Sequence, residues 1–224
     1  MSRTISLPAP MRIALAALVA LALAGAAVML APRDHAHEAA AASKGSRAGL
    51  HDAMRILWED HIVWTRMAII AIVDDRPDQS FAVDRLLANQ DDIGDAVKPF
   101  YGEAAGEQLS TLLREHIVGA AELLAAAKSG DDAAITSARD AWYANGDEIG
   151  AFLADANPRT WDRAEMQAMM RDHLDLTFTE ALARLQGDFE ADVAAYDAIH
   201  GQILHMADML SDGIVAQFPG RFNR

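Results

Sequence analysis

Apolar positions recur at helical spacing through almost the whole chain beyond residue 49 and nowhere alternate as they do along a strand. From Leu50 to Val73 they fall at Ile56, Leu57, Ile62, Trp64, Met67, Ile69 and Ile70, a stripe broad enough for a helix covered on more than one side. Asp74 to Gln79, with Pro77, breaks that pattern. A second helix is predicted over Phe81–Val97, before Pro99 and Gly102, and a third over Glu103–Lys128, closed by Ser129-Gly130-Asp131. The fourth, Asp131–Asp155, carries Ala138, Trp142, Ile149 and Phe152 on its apolar side and stops before Asn157-Pro158. Thr160 is read as the N-cap of a fifth helix, Trp161–Gln186, with Gly187 as its stop. The sixth, Phe189–Gln217, has Tyr196, Ile199, Ile203, Met206, Leu210 and Ile214 on one stripe. Short turns make sequential helices antiparallel neighbours, so the expected fold is all-α, a six-helix bundle of three tandem antiparallel αα-hairpins.

One phrase returns on the first helix of each hairpin. Leu57-Trp58-Glu59-Asp60-His61 is followed by Leu113-Arg114-Glu115-His116 and then by Met170-Arg171-Asp172-His173, at spacings of 55 and 57 residues. A second phrase, Leu87 to Gly94, recurs as Tyr143 to Gly150, and more weakly as Asp197 to Leu204. The three- and four-residue neighbours of His61, His116 and His173 are nearly all apolar, which turns the three rings inward. Counting back from the turns at Asp75, Gly130 and Gly187 sets His61 level with Asn89, His116 with Asn145 and His173 with His200. One cross-section is therefore expected to hold three histidines with Asn89, Asn145 and His200, and Glu148 and Asp92 near its margin.

Such a layer admits more than one chemistry. Three neutral imidazoles suit a transition metal ion, Zn, Fe, Mn or Cu, and bundle interiors are where such sites are built. On this reading His61, His116 and His173 are the ligands, and Asp60, Glu115 and Asp172, each directly before a histidine, are placed to orient an imidazole on a neighbouring helix. The helical Glu-x-x-His of di-iron proteins is missing, because Trp58, Leu113 and Met170 stand three residues before the histidines, and there is no His-Glu-x-x-His. The competing reading is a structural histidine–asparagine layer that fixes helix register. A third is an organic-ligand pocket lined by Trp58, Trp64, Trp142 and Tyr143. His205 with Met206 and Met209 reads as space-filling before it reads as copper binding. Ser80, Ser110, Ser137 and Ser211 have no nucleophile-elbow context, so no Ser-His-Asp arrangement is expected, and no glycine-rich phosphate loop is present. Enzyme activity is left open.

Charge and composition narrow the partners. Beyond Pro32 the chain has 17 basic and 33 acidic residues, a formal charge of −16, which argues against nucleic acid and an anionic membrane surface. With no cysteine, thiolate metal sites and disulfides are excluded, and the fold must rest on a core that 52% apolar content can supply. Arg12 precedes Ile13 to Leu30, an apolar run interrupted only by Gly25. Residues 1–32 therefore read as a signal peptide or signal anchor, with Met11 as an alternative start and Ala40-Ala41-Ala42 as a cleavage context. Either outcome places the rest in the periplasm or outside the cell, with membrane contact through residues 13–30 alone. Residues 33–48, with His35 and His37, read as a flexible linker, 49–218 as the bundle and 219–224 as a tail.

Taken with the export signal, the phrase Leu57 to Thr65, Tyr143-Ala144-Asn145-Gly146-Asp147-Glu148-Ile149 and the ending Met206 to Ile214 resemble a group of exported bacterial helical proteins of no assigned activity. The resemblance implies secretion and an all-helical fold. It supplies no catalytic or ligand residues.

Overall fold

The structure is a computed structural model and describes residues 46–222; the segment read as a signal, most of that read as a linker, His35 and His37 lie outside the described residues. Six helices follow in order: α1 (Arg47–Val73), α2 (Gln79–Tyr101), α3 (Glu103–Ser129), α4 (Asp132–Ala156), α5 (Arg163–Gln186) and α6 (Phe189–Gln217), with a 3₁₀ turn at Pro219–Arg221. No strand occurs among the described residues, and none of their helices is long and apolar enough to cross a membrane. Each helix packs on the next, and α6 returns to α1, so the three hairpins close into a ring. The odd helices α1, α3 and α5 also meet one another across the centre. They form an inner parallel trio, with α2, α4 and α6 seated around it.

Local chemistry sets the ends. Ser46 accepts a hydrogen bond from the Gly49 N–H at 3.0 Å, which starts α1 inside the segment read as linker. Asp131 caps α4 by accepting from the Ala133 and Ala134 N–H groups. The predicted cap at Thr160 is wrong. Asp162 holds that place, accepting from Ala164 N at 2.9 Å and Glu165 N at 3.1 Å, because a carboxylate can take two of the free N–H groups of the first turn. Trp161 is thereby left outside α5 and lies buried on α6. Gly130 and Gly187 end α3 and α5 at φ 70° and 74°, the left-handed region that an L side chain rarely adopts.

α2 runs four residues beyond its predicted end, through Pro99 to Tyr101. Proline removes one helical hydrogen bond there, but the last turn is held from outside. Phe100 lies 5.8 Å from both the Phe218 and Phe222 rings, and Tyr101 is edge-on to Phe218 at 5.4 Å. The same aromatic contacts correct the expectation of a plain tail, since the 3₁₀ turn seats Phe222 in the core at 7% exposure.

Helix crossings are close where glycine allows. A Cβ on Gly150 of α4 would stand 2.8 Å from the backbone nitrogen and 2.9 Å from the Cα of Gln167 on α5. Gly150→Ala is therefore expected to lower stability by about 1–3 kcal/mol, because backbone cannot step aside as a side chain can. Gly201→Ala on exposed α6 surface meets nothing within 4 Å and is expected to gain about 0.5–1 kcal/mol of helix stability. Urea unfolding of both variants checks the pair, and a neutral Gly150→Ala would refute the close α4–α5 approach.

Candidate functional site

His61, His116 and His173 stand on α1, α3 and α5, the three inner helices, and meet inside the bundle. The His61 and His173 ring centroids are 5.7 Å apart and those of His116 and His173 6.3 Å. All three residues are buried, at 2–3% exposure. His116 lies stacked on Trp142 at 5.2 Å, and Trp142 donates its N–H to the His116 carbonyl at 3.1 Å. Trp58 meets His61 edge-on at 5.6 Å.

An amide from the following helix holds two of the rings. His116 Nδ1 is 3.0 Å from Asn145 Oδ1, while Asn145 Nδ2 donates to the Leu112 carbonyl at 3.1 Å. His173 repeats the arrangement: its Nδ1 is 3.2 Å from Gln202 Oε1, and Gln202 Nε2 donates to the Met169 carbonyl at 3.2 Å. In both, the amide lies 29 residues after the histidine and the carbonyl four before it. Because the amide NH₂ must face a carbonyl, its oxygen must face the ring. Nδ1 therefore carries the proton and donates outward, and Nε2 is left as the acceptor of each ring.

In the first hairpin two residues share the work. Asn89 donates to the Leu57 carbonyl at 3.0 Å, four residues before His61, and its oxygen accepts from Gln90 Nε2 at 3.2 Å. Gln90, 29 residues after His61, sits beside that ring and favours its protonated form. Gln90 Oε1 and His61 Nδ1 are both buried without another hydrogen-bond partner, an acceptor and a donor that match.

The structure thus corrects the expected outer members of the layer. Asn89 and Asn145 belong to it, but the third amide is Gln202, two residues beyond the predicted His200. His200 is instead half-exposed, with Nε2 3.1 Å from Glu59. Glu148, Glu115 and Asp172 are exposed, and Asp60 pairs with Arg85 at 3.0 Å, so none of these acids orients an imidazole. Adjacent positions sit about 100° apart on a helix, which carries these carboxylates outward once the histidine points in. The four aromatic residues do not line one pocket, although Trp142 and Tyr143 meet edge-on at 5.9 Å. Trp58 is in the main core, Trp64 packs on a separate small cluster, and the Tyr143 hydroxyl bonds Asp175.

Two polar clusters have no counterpart in the sequence reading. Arg66 on α1 reaches Glu180 of α5 at 2.5 Å and Asp192 of α6 at 2.7 Å, and both carboxylates are about 1% exposed. Each sits at a helical position that the apolar stripe also occupies, so only the polar residue type hinted at it. The second joins Ser211, His51 and Asp212. Ser211 Oγ is 3.1 Å from His51 Nδ1, and His51 Nε2 is 3.0 Å from Asp212. Ser211 is fully buried, and its hydroxyl also stands 2.9 Å from the Ala207 and Asp208 carbonyls of its own helix.

Burial holds the three rings neutral. It pushes His61 well below its ordinary value, with the charges of His173 and His116 adding to the effect. His116 falls to about 3, by burial and then by His173, and His173 to about 4 by burial. Glu180 moves the other way, up to about 7, because desolvation outweighs the pull of Arg66.

These directions fix the pH response of the metal-free protein. Each unfolded imidazole takes up a proton below about pH 6.5 that its folded counterpart refuses, so this stability is present above 6.5 and is lost as pH falls toward 4. Unfolded Glu180 has released a proton between about pH 4.5 and 7 that the folded group keeps, which offsets one of the three. Around pH 5–6 stability is expected to rise with pH by about 3 kcal/mol per unit. His116→Leu should flatten that slope and Glu180→Gln steepen it. Urea unfolding between pH 4.5 and 7 measures it, and a flat profile would contradict the buried neutral layer.

Comparison with known proteins finds no matching family model, no similar curated protein and no similar solved structure.

Proposed function

We infer that the bundle binds a transition metal ion through Nε2 of His61, His116 and His173. The observation that carries this reading is the direction of the imidazoles. Two of them donate Nδ1–H outward to amides held by backbone carbonyls, and that is how metal-binding histidines are oriented and made more basic. The rings also stand 5.7 and 6.3 Å apart, a spacing compatible with nitrogens that share one ion at about 2.1 Å. A set of neutral nitrogens suits copper or zinc and least suits manganese, which prefers oxygen. Burial without a carboxylate favours the least charged of these ions, Cu(I).

The role proposed is binding or handling of the ion. The apolar run at residues 13–30 and the likeness to exported helical proteins support a place outside the cytoplasmic membrane, with residues 13–30 the only membrane contact. The strong negative charge supports the absence of a nucleic-acid partner.

A second reading keeps the layer without an ion, as a structural device that sets helix register in a helical interaction module. It is favoured by one observation: among the described residues, no group of three or more His, Cys, Asp or Glu side chains is arranged to hold a metal ion.

Element analysis separates the two. Protein prepared without a His-tag and incubated with Zn(II), or anaerobically with Cu(I), is expected to retain close to one equivalent and to melt higher for it. Retention below about a tenth of an equivalent with no thermal shift would overturn the metal reading. Asn145→Ala is expected to weaken metal affinity about 10–100-fold, whereas a purely structural layer loses the same stability with and without the ion.

A further inference from the structure

Between the histidine layer and the hairpin turns the helices line a partly open apolar cavity of about 60 Å³. It begins one helical turn beyond the imidazoles, at Thr65, Ala120 and Thr177. Its two threonine hydroxyls are already committed, Thr65 donating to the His61 carbonyl at 2.7 Å and Thr177 to the His173 carbonyl at 2.8 Å. What remains toward the space is aliphatic and aromatic carbon, with no charged side chain in the lining. Such a lining offers water few polar partners.

The surrounding core is divided in the same place. Ala68, Leu86 and Ile117 form one small apolar cluster, Ile69, Leu124 and Ala181 another, and the cavity lies between them. The cover is thin as well. No residue of α4 from Asp132 to Ala141 is buried, whereas the first turns of α2 and α6 each contribute buried side chains. Beneath that stretch the α3 and α5 residues Ala121, Ala127, Phe178 and Leu182 are only half-buried. Of α4 only Trp142 lines the cavity, which is left partly open.

We propose that this cavity is a binding site for a small uncharged apolar molecule of a few heavy atoms, a dissolved gas or short hydrocarbon, admitted beside the first half of α4. The size excludes a long acyl chain, and the lining excludes an ion or a hydrogen-bonding ligand. The site is independent of metal at the histidines.

Xenon titration of the metal-free protein, followed by methyl NMR, tests it. Saturable shifts confined to methyls around the cavity, those of Ile69, Ile117 and Leu124 among them, are expected. Ala181→Val and Ala120→Val, which add methyls to the space, should abolish them while helix content is retained, and Leu124→Ala should tighten xenon binding by enlarging it. Absence of a saturable shift would overturn the proposal, as would shifts that survive in a folded filling variant or fail to strengthen in folded Leu124→Ala. Since the measurement is made without metal, its outcome leaves the histidine reading untouched.

Discussion

An imidazole removed from water must have its N–H satisfied, and three of them in one layer commit the whole bundle to a common register. An unpaired buried donor costs about 1–3 kcal/mol, so three unmatched rings would consume much of the stability of a domain this size. In two of the three hairpins one amide answers the demand at both of its ends. Asn145 and Gln202 take the ring N–H with their oxygen and give their NH₂ to the carbonyl four residues before the histidine. That carbonyl already accepts within its own helix, and its second lone pair is the one used. Sliding either helix by one residue would break both contacts at once, which makes the amide a lock on hairpin register.

The first hairpin shows how tightly the geometry constrains the residue. Asn89 reaches the backbone carbonyl but not the ring, and Gln90, one position on, takes the place beside the ring. The two are joined by the Gln90 NH₂ on the Asn89 oxygen. A side chain one methylene longer on the next position does the second half of what Asn145 does alone. The shared phrase Leu87 to Gly94 and Tyr143 to Gly150 aligns Asn89 with Asn145 and hides this division.

Period and polarity made the helices legible, and the depth of the histidines followed from counting residues back from each turn. The inward direction of His61, His116 and His173 was readable because their helical neighbours are apolar. The outer partners were less so. A count from the turn is good to a residue or two, and one residue on a helix is a rotation of about 100°, enough to exchange Gln202 for His200. The acids before each histidine were misassigned for the same reason in reverse, since the angle that brings the imidazole in carries Asp60, Glu115 and Asp172 out. Contacts between residues far apart in the chain, Arg66 with Glu180 and Asp192 or His51 with Ser211, leave no periodic trace.

The polar layer also divides the interior into unequal halves, and the two are held by different forces. On the side of the chain termini, large side chains such as Leu50, Met54, Met166 and Met206 fill one continuous core. Toward the hairpin turns the apolar residues are smaller, the core is broken around a void, and an ion network takes over. Arg66 joins Glu180 and Asp192, Arg184 joins Asp192 at 3.7 Å and also Asp74, and together they tie α1, α5 and α6. Such a network adds little net stability over apolar packing, because desolvation cancels most of the attraction, yet removing one partner costs about 3–5 kcal/mol. The turn half therefore keeps its shape through directional bonds on the α1–α5–α6 side while leaving space on the α3–α4 side. A layer that sets register, a clasp that holds one wall and a thin cover on the other are what allow a void to persist beside a well-filled core.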